Sequence, residues 1–218
     1  MTLTDAQDIV QAHAPKSYYA EYYRACEGDY LPHLCALLEE LPAGRALDVG
    51  PGWGTMMVWL AARGWEVVVA DYVPLGFHIT PRLVAVTGAR YVQANIFTGP
   101  LAYGQFDLIT MTQVIPHLKW RPDRALRNCG AMLAEGGQVI VCVLDLLDYA
   151  DLHATYDARW WTVPEYGDGE PSPDMVICMY TQETLLDLLG GVFAEVKAWK
   201  PEGSTVLFGQ CRQPILEA

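Results

Sequence analysis

Leu47-Asp-Val-Gly-Pro-Gly-Trp-Gly-Thr55 is the stretch whose residue types and spacing point most directly to chemistry. Glycines 50, 52 and 54 let the backbone turn sharply and let a ligand come close to the main chain. The stretch follows an apolar strand pattern and opens a helical one, so N–H groups at the helix start favour an electron-rich ligand group. Two ligand classes compete for such a loop. The dinucleotide fingerprint G-x-G-x-x-G, counted from Gly50, needs glycine where the chain has Thr55; counted from Gly52, it needs glycine where the chain has Met57. The pattern that fits is D-x-G-x-G-x-G, with Asp48 two residues ahead of the first glycine. Asp71 follows Gly50 by 21 residues, at the end of the next strand pattern, where an acid can accept both hydroxyls of a ribose. His117, in Gln113-Val-Ile-Pro-His-Leu118, brings a group that takes up a proton near neutral pH.

The elements that position these residues are legible as alternating patterns. Residues 1–43 read as helical, with a Tyr-rich stretch around Lys16–Cys26 and apolar residues at helical spacing over Asp29–Leu41. Leu41-Pro-Ala-Gly-Arg45 breaks that pattern. Strands are expected at Ala46–Val49, Glu66–Ala70, Tyr91–Gln93, Phe106–Met111 and Gln138–Leu144, with helices at Thr55–Arg63 and Pro122–Leu133. Strands that are apolar throughout indicate a parallel sheet covered on both faces. After the fifth strand the rhythm fails over Leu146–Met179, which holds Trp160, Trp161 and the turn-rich tract Gly167–Asp174. Thr181–Leu189 is expected to be a helix capped by Thr181. Phe193–Trp199 and Thr205–Gln210 are two final strands joined by Pro-Glu-Gly-Ser. The expected fold is α/β: a doubly wound, mostly parallel seven-stranded sheet with helices on both faces, a C-terminal antiparallel hairpin and an N-terminal helical cap over 1–43. One domain spanning 1–218 is the simplest organisation, with 146–179 as a substrate lid.

Composition removes several partner classes. The formal net charge is −12, and no Lys/Arg cluster forms a stripe for replacing counterions on phosphates. The densest basic stretch, Lys119–Arg127, reads as a solvated helix face, so neither nucleic acid nor an anionic membrane is expected as a partner. The apolar run Val139–Leu144 is too short to span a bilayer, and Met1–Asp5 has no leader character. The six cysteines show no C-x-x-C and no metal spacing, so all are expected reduced and the protein cytoplasmic. Seven Trp and twelve Tyr exceed what a core of this size needs and suit an aromatic-lined pocket.

The loop Asp48–Gly54, Asp71 at the second strand end, Asn95 at the third, Phe106–Asp107 opening the fourth and Leu133–Val141 running into the fifth resemble class I (Rossmann-like) S-adenosylmethionine-dependent methyltransferases. The resemblance covers about Arg45–Arg212 and includes the closing hairpin. It implies S-adenosyl-L-methionine as cofactor, S-adenosyl-L-homocysteine as product, and a small-molecule methyl acceptor. By position, the backbone at Gly50, Pro51 and Gly52 would contact the methionine part of the cofactor, with Asp48 orienting the loop. Asp71 would bind the ribose, Tyr72 and Ile96 would pack on the adenine, and Asn95 would reach its edge. Thr112 and Gln113 would lie near the methyl-bearing sulfur. Tyr18, Tyr19, Tyr22 and Tyr23 sit on a segment that covers the cofactor in similar proteins; Tyr22 is assigned to the cofactor and Tyr18 to the acceptor. Trp160 and Trp161, with Tyr156 and Tyr166, would line the acceptor pocket. His117 is the candidate base, with Pro116 before it as a departure that could redirect the segment; His78, His153 and Glu165 are lesser candidates.

Sub-types thin out on the same residues. The fourth strand ends Thr-Met-Thr-Gln, without the Asn/Asp-Pro-Pro-Tyr of enzymes that methylate exocyclic or amide nitrogens. Asp145 and Asp148 follow the fifth strand, but Thr112 breaks a metal-binding set, so no metal is expected. An O-, N-, S- or C-methyltransferase acting on a small molecule, as monomer or homodimer, remains. A non-catalytic protein that keeps the cofactor loop, and a nicotinamide-dependent oxidoreductase, stay open as alternatives.

Overall fold

The computed structural model describes residues 1–13, 22–118, 121–145 and 180–215, with only the backbone of Tyr22, Tyr23, Ala25 and Cys26. Two helices, α1 (Leu3–His13) and α2 (Tyr22–Glu39), precede β1 (Arg45–Val49), α3 (Thr55–Ala62), β2 (Glu66–Asp71), α4 (Pro81–Thr87) and β3 (Arg90–Gln93). Then come β4 (Phe106–Thr112), a 3₁₀ turn at Ile115–His117, α5 (Pro122–Gly130), β5 (Leu133–Leu144), α6 (Gln182–Gly190), β6 (Phe193–Trp199) and β7 (Val206–Pro214). The strands form one seven-stranded sheet in the order β3-β2-β1-β4-β5-β7-β6. The pairings from β3 through β5 are parallel, and β7 runs antiparallel to both β5 and β6.

Strand alternation divides the apolar residues between two cores. Ala46, Val67, Leu108, Ile140, Cys142 and Phe208 face one way and pack with Val10 of α1, Leu34 of α2, Trp59 of α3 and Leu83 of α4. Leu47, Val68, Ile109, Val141 and Leu207 face the other way, against Leu126 and Cys129 of α5 and Leu185 and Leu189 of α6. Helix α3 is apolar nearly all round, and Thr55 to Leu60 are all buried, which suits a helix pressed between sheet and cap.

Four details differ from the sequence expectation. Helix α4 was not anticipated, although Thr80 caps it by accepting from the Leu83 N–H at 3.1 Å, Pro81 opens it and Gly88 closes it at φ 69°. The helix expected over Pro122–Leu133 stops at Gly130. Strand β5 starts at Leu133 rather than Gln138, because Leu133 pairs with Phe106 and Gln138 with Leu108, leaving 134–137 looped out. Gly137 permits this: a Cβ there would stand 2.7 Å from the Phe106 carbonyl. Strand β7 runs four residues beyond Gln210, to Pro214.

The N-terminal end of the parallel strands is fastened by Arg45. Its N–H donates to the Asp107 carboxylate at 2.7 Å and its guanidinium to Glu66 at 2.9 Å. The same guanidinium donates to the Gln105 and Tyr103 carbonyls, both at 3.0 Å, and lies over the Phe106 ring.

Candidate functional site

Strand order reverses between β1 and β4, and it is at the carboxyl ends of such a switch point that open α/β sheets form their ligand crevice. The glycine loop forms one lip. Gly50, Gly52 and Gly54 have φ of 61°, 53° and 91°, a region costly for any side chain. The Gly50 N–H donates to the Ala70 carbonyl at 2.8 Å, and the Gly54 N–H to the Pro51 carbonyl at 2.9 Å. Pro51 has no N–H, so the loop offers a ligand the Gly52 N–H and its carbonyls rather than the Gly50 amide. Among the described residues, nothing lies within 4 Å of where a Gly52 Cβ would stand.

The chain after β4 forms the other lip. A Cβ on Gly50 would lie 2.5 Å from Val114 Cγ2, so the two lips touch there and only glycine fits. Gln113, just ahead, is left-handed at φ 57°, an unusual state for a residue with a side chain. It is held by its N–H donating to the Cys142 carbonyl at 2.8 Å and its amide donating to the Cys142 sulfur at 3.5 Å. Thr112 is half-buried at the strand end.

Beneath the loop, Asp48 is fully buried opposite Thr110 of β4. Thr110 Oγ1 donates to Asp48 Oδ1 at 2.8 Å, and among the described residues Oδ2 has no hydrogen-bond partner. Burial pushes the Asp48 carboxyl up to about 7; the Thr110 hydrogen bond opposes this and the nearby Asp71 charge adds to it.

Asp71 closes β2, half-buried, and accepts from the Val73 N–H at 3.3 Å. Burial raises its pKa, against the hydrogen bond from Val73 and the His78 imidazole. His78 packs on Trp53 of the glycine loop with ring centroids 5.1 Å apart, and burial lowers its pKa while Asp71 raises it. Tyr72, next along the chain from Asp71, is 53% exposed. Asn95 Oδ1 accepts from the Phe97 N–H at 2.9 Å, and buried Ile96 is held by Asn128 Nδ2 donating to its carbonyl at 2.6 Å.

His117 ends the 3₁₀ turn, where Pro116 sits in the opening positions. Its Nδ1 is buried with no hydrogen-bond partner among the described residues, and burial holds its pKa below 6.5. The ring is therefore a neutral proton acceptor at neutral pH.

Tyr18, Tyr19, Trp160, Trp161, His153, Glu165 and the whole expected lid lie outside the described residues, as do the side chains of Tyr22 and Tyr23. Sequence reasoning missed Thr110 and Val114, whose roles come from partners far along the chain. Among the described residues no group of three or more His, Cys, Asp or Glu gathers as a metal site, and no helix is long and apolar enough to cross a membrane. Cys35, Cys129, Cys142 and Cys211 are free and buried.

The comparisons with known proteins agree with this architecture. A family model described as a methyltransferase domain matches residues 19–204. Curated relatives include two named ubiquinone biosynthesis O-methyltransferase. The one from Marinobacter nauticus is 31% identical over 125 residues, covering 55% of this chain and 52% of its own. The one from Dechloromonas aromatica is 27% identical over 123 residues, covering 55% and 53%. The chain thus spans about half the length of the curated relatives it matches. Among solved structures, a DhpI complex with S-adenosylhomocysteine superposes with a TM-score of 0.66 at 15% identity, covering 98% of each chain. The N-methyltransferase NodS of Bradyrhizobium japonicum gives 0.62 at 17% identity, covering 97% of this chain and 98% of that one. At such identities the likeness is one of fold.

Proposed function

The chain belongs to the methyltransferase-domain family, and from that premise we propose that it moves the methyl group of S-adenosyl-L-methionine onto a small-molecule acceptor, releasing S-adenosyl-L-homocysteine. The observation that carries the reading is the switch point between β1 and β4, with a left-handed glycine loop at the end of β1 and Asp71 at the neighbouring strand end. The residues fit the cofactor: open space over Gly52 admits its amino-acid part, and the Asp71 carboxylate suits two ribose hydroxyls. Bound there, the sulfonium supplies a methyl group already activated as an electrophile.

The remaining work falls to side chains and backbone. Gly50, Pro51 and Gly52 shape the loop, and Asp48, locked by Thr110, keeps it in place. Tyr72 and Ile96 flank the adenine, and the Asn95 NH₂ is left for its edge. Thr112 and Gln113, at the end of β4, hold acceptor and methyl in line at about 3 Å. His117 takes the proton of an acceptor that carries one, which suits a hydroxyl of the kind the curated relatives' names imply. Tyr22 on the cofactor, and Tyr18, Trp160 and Trp161 on the acceptor, complete the site, with 146–179 as a lid within one domain. Free, buried thiols and the acidic charge support a cytoplasmic protein that binds neither nucleic acid nor membrane, as a monomer or homodimer.

Calorimetric titration with S-adenosylmethionine and S-adenosylhomocysteine tests the cofactor site, and labelled-methyl transfer to a panel of small hydroxyl, amine and thiol compounds tests turnover. Asp71→Ala is expected to weaken cofactor binding by about 1–3 kcal/mol; unchanged affinity in a folded variant removes the ribose assignment. Tight binding without transfer to any acceptor would favour a non-catalytic cofactor-binding protein.

A further inference from the structure

Glu27 of α2 is a buried acidic group that no step above uses; it is 8% exposed. The Thr55 hydroxyl lies 3.0 Å from both of its carboxyl oxygens, and Gln7 of α1 donates to one of them at 3.3 Å. Thr55 and Gln7 are buried as well, so three helices converge on one carboxyl group. An acidic group is costly to bury unless it is hydrogen-bonded, and this one is bonded from two directions. Thr55 is the first residue of α3 and directly follows Gly54, so the tie bears on the glycine loop itself. Two residues along α2, and so roughly 200° around the helix, Asp29 accepts from the Thr205 N–H at 3.2 Å and from its hydroxyl, just ahead of β7. Helix α2 is thus fastened both to the start of α3 and to the chain entering β7.

We propose that Glu27 and Thr55 are a positioning pair: their hydrogen bond holds α2 against the start of α3 and keeps the glycine loop in its cofactor-binding shape. The proposal rests on the cofactor reading above. It gives Thr55 a reason for standing where a dinucleotide loop has glycine, since only a side chain there can reach α2.

The test is titration of the full chain with S-adenosylhomocysteine, paired with thermal melting and amide exchange of the glycine loop. Thr55→Val and Glu27→Ala are each expected to raise Kd about tenfold and to speed exchange in the loop, with little further loss in the double variant. Glu27→Gln, whose amide oxygen still accepts from Thr55, restores binding to near the wild-type value. Leu38→Ala, a buried site farther along the same helix, lowers Tm and leaves Kd unchanged. If Glu27→Ala does not fold, Thr55→Val decides, because it deletes a hydroxyl and keeps the volume. Thr55→Val or Glu27→Ala melting earlier yet binding as tightly as wild type overturns the proposal and leaves the cofactor reading standing. Glu27→Gln as weak as Glu27→Ala also overturns it, because the shared hydrogen bond would not be the agent. Wild-type chain that fails to bind S-adenosylhomocysteine brings down both.

Discussion

At the scale of single residues, burial moves two groups of the candidate site, Asp48 and His117, each toward its neutral form. For His117 this extends the range in which the ring accepts a proton. The acidic limb of the kcat/KM profile is expected below pH 6.5, and His117→Ala should lower turnover while cofactor affinity stays near wild type. Full activity of that variant across pH would remove the residue from the mechanism. For Asp48 the consequence is one of stability. Its folded-state pKa of about 7 lies above the ordinary 3.8, so the folded chain holds this proton more tightly than the unfolded chain does. Its contribution is full in acid and is lost as pH rises from 3.8 to about 7. Asp48→Asn cannot ionise but still accepts from Thr110. Melting of the ligand-free protein between pH 5 and 8 should therefore fall less steeply in Asp48→Asn than in wild type; parallel slopes would contradict the assignment.

At the scale of elements, the strand–loop–helix unit around Gly50 joins a backbone requirement to a packing one. Gly50→Ala meets both the left-handed φ and the Val114 methyl, and is expected to cost about 1–3 kcal/mol of stability and most cofactor affinity. Adding Val114→Ala relieves the clash but not the φ, so the double variant should recover only part of the loss; complete recovery would show that sterics alone dictate glycine. This unit was legible in the sequence because its signals are local: an acid, three spaced glycines, and a strand and a helix on either side. Helix α4 escaped because seven residues hold too few turns for periodicity, although Thr80, Pro81 and Gly88 carried cap signals that a search for helix ends would have found. The β5 loop-out escaped because Glu135-Gly-Gly137 reads equally as a turn before a strand. Thr110 and Glu27 were illegible for a different reason. Their partners lie 62 and 28 residues away, and nothing in the type of a strand threonine or a helical glutamate announces a contact made only by folding.

At the scale of the whole molecule, the sheet separates its duties along the strand axis. Asp48, Asp71, Thr112 and Gln113 gather at or just past the carboxyl ends, while Arg45 gathers Asp107, Glu66, Tyr103 and Gln105 at the amino ends. Arg45→Ala is expected to lower stability by about 1–2 kcal/mol, the partial exposure of the guanidinium limiting the loss. Its affinity for S-adenosylhomocysteine should match wild type, and a matching fall in affinity would mean that the two ends are mechanically coupled. With one pole clasped in this way, whatever yielding accompanies ligand uptake is left to the other. Exchange of one acceptor for another by rewriting the segments there then amounts to grafting onto a rigid rootstock, and the scaffold should tolerate far bolder surgery at that rim than a single substitution at its base.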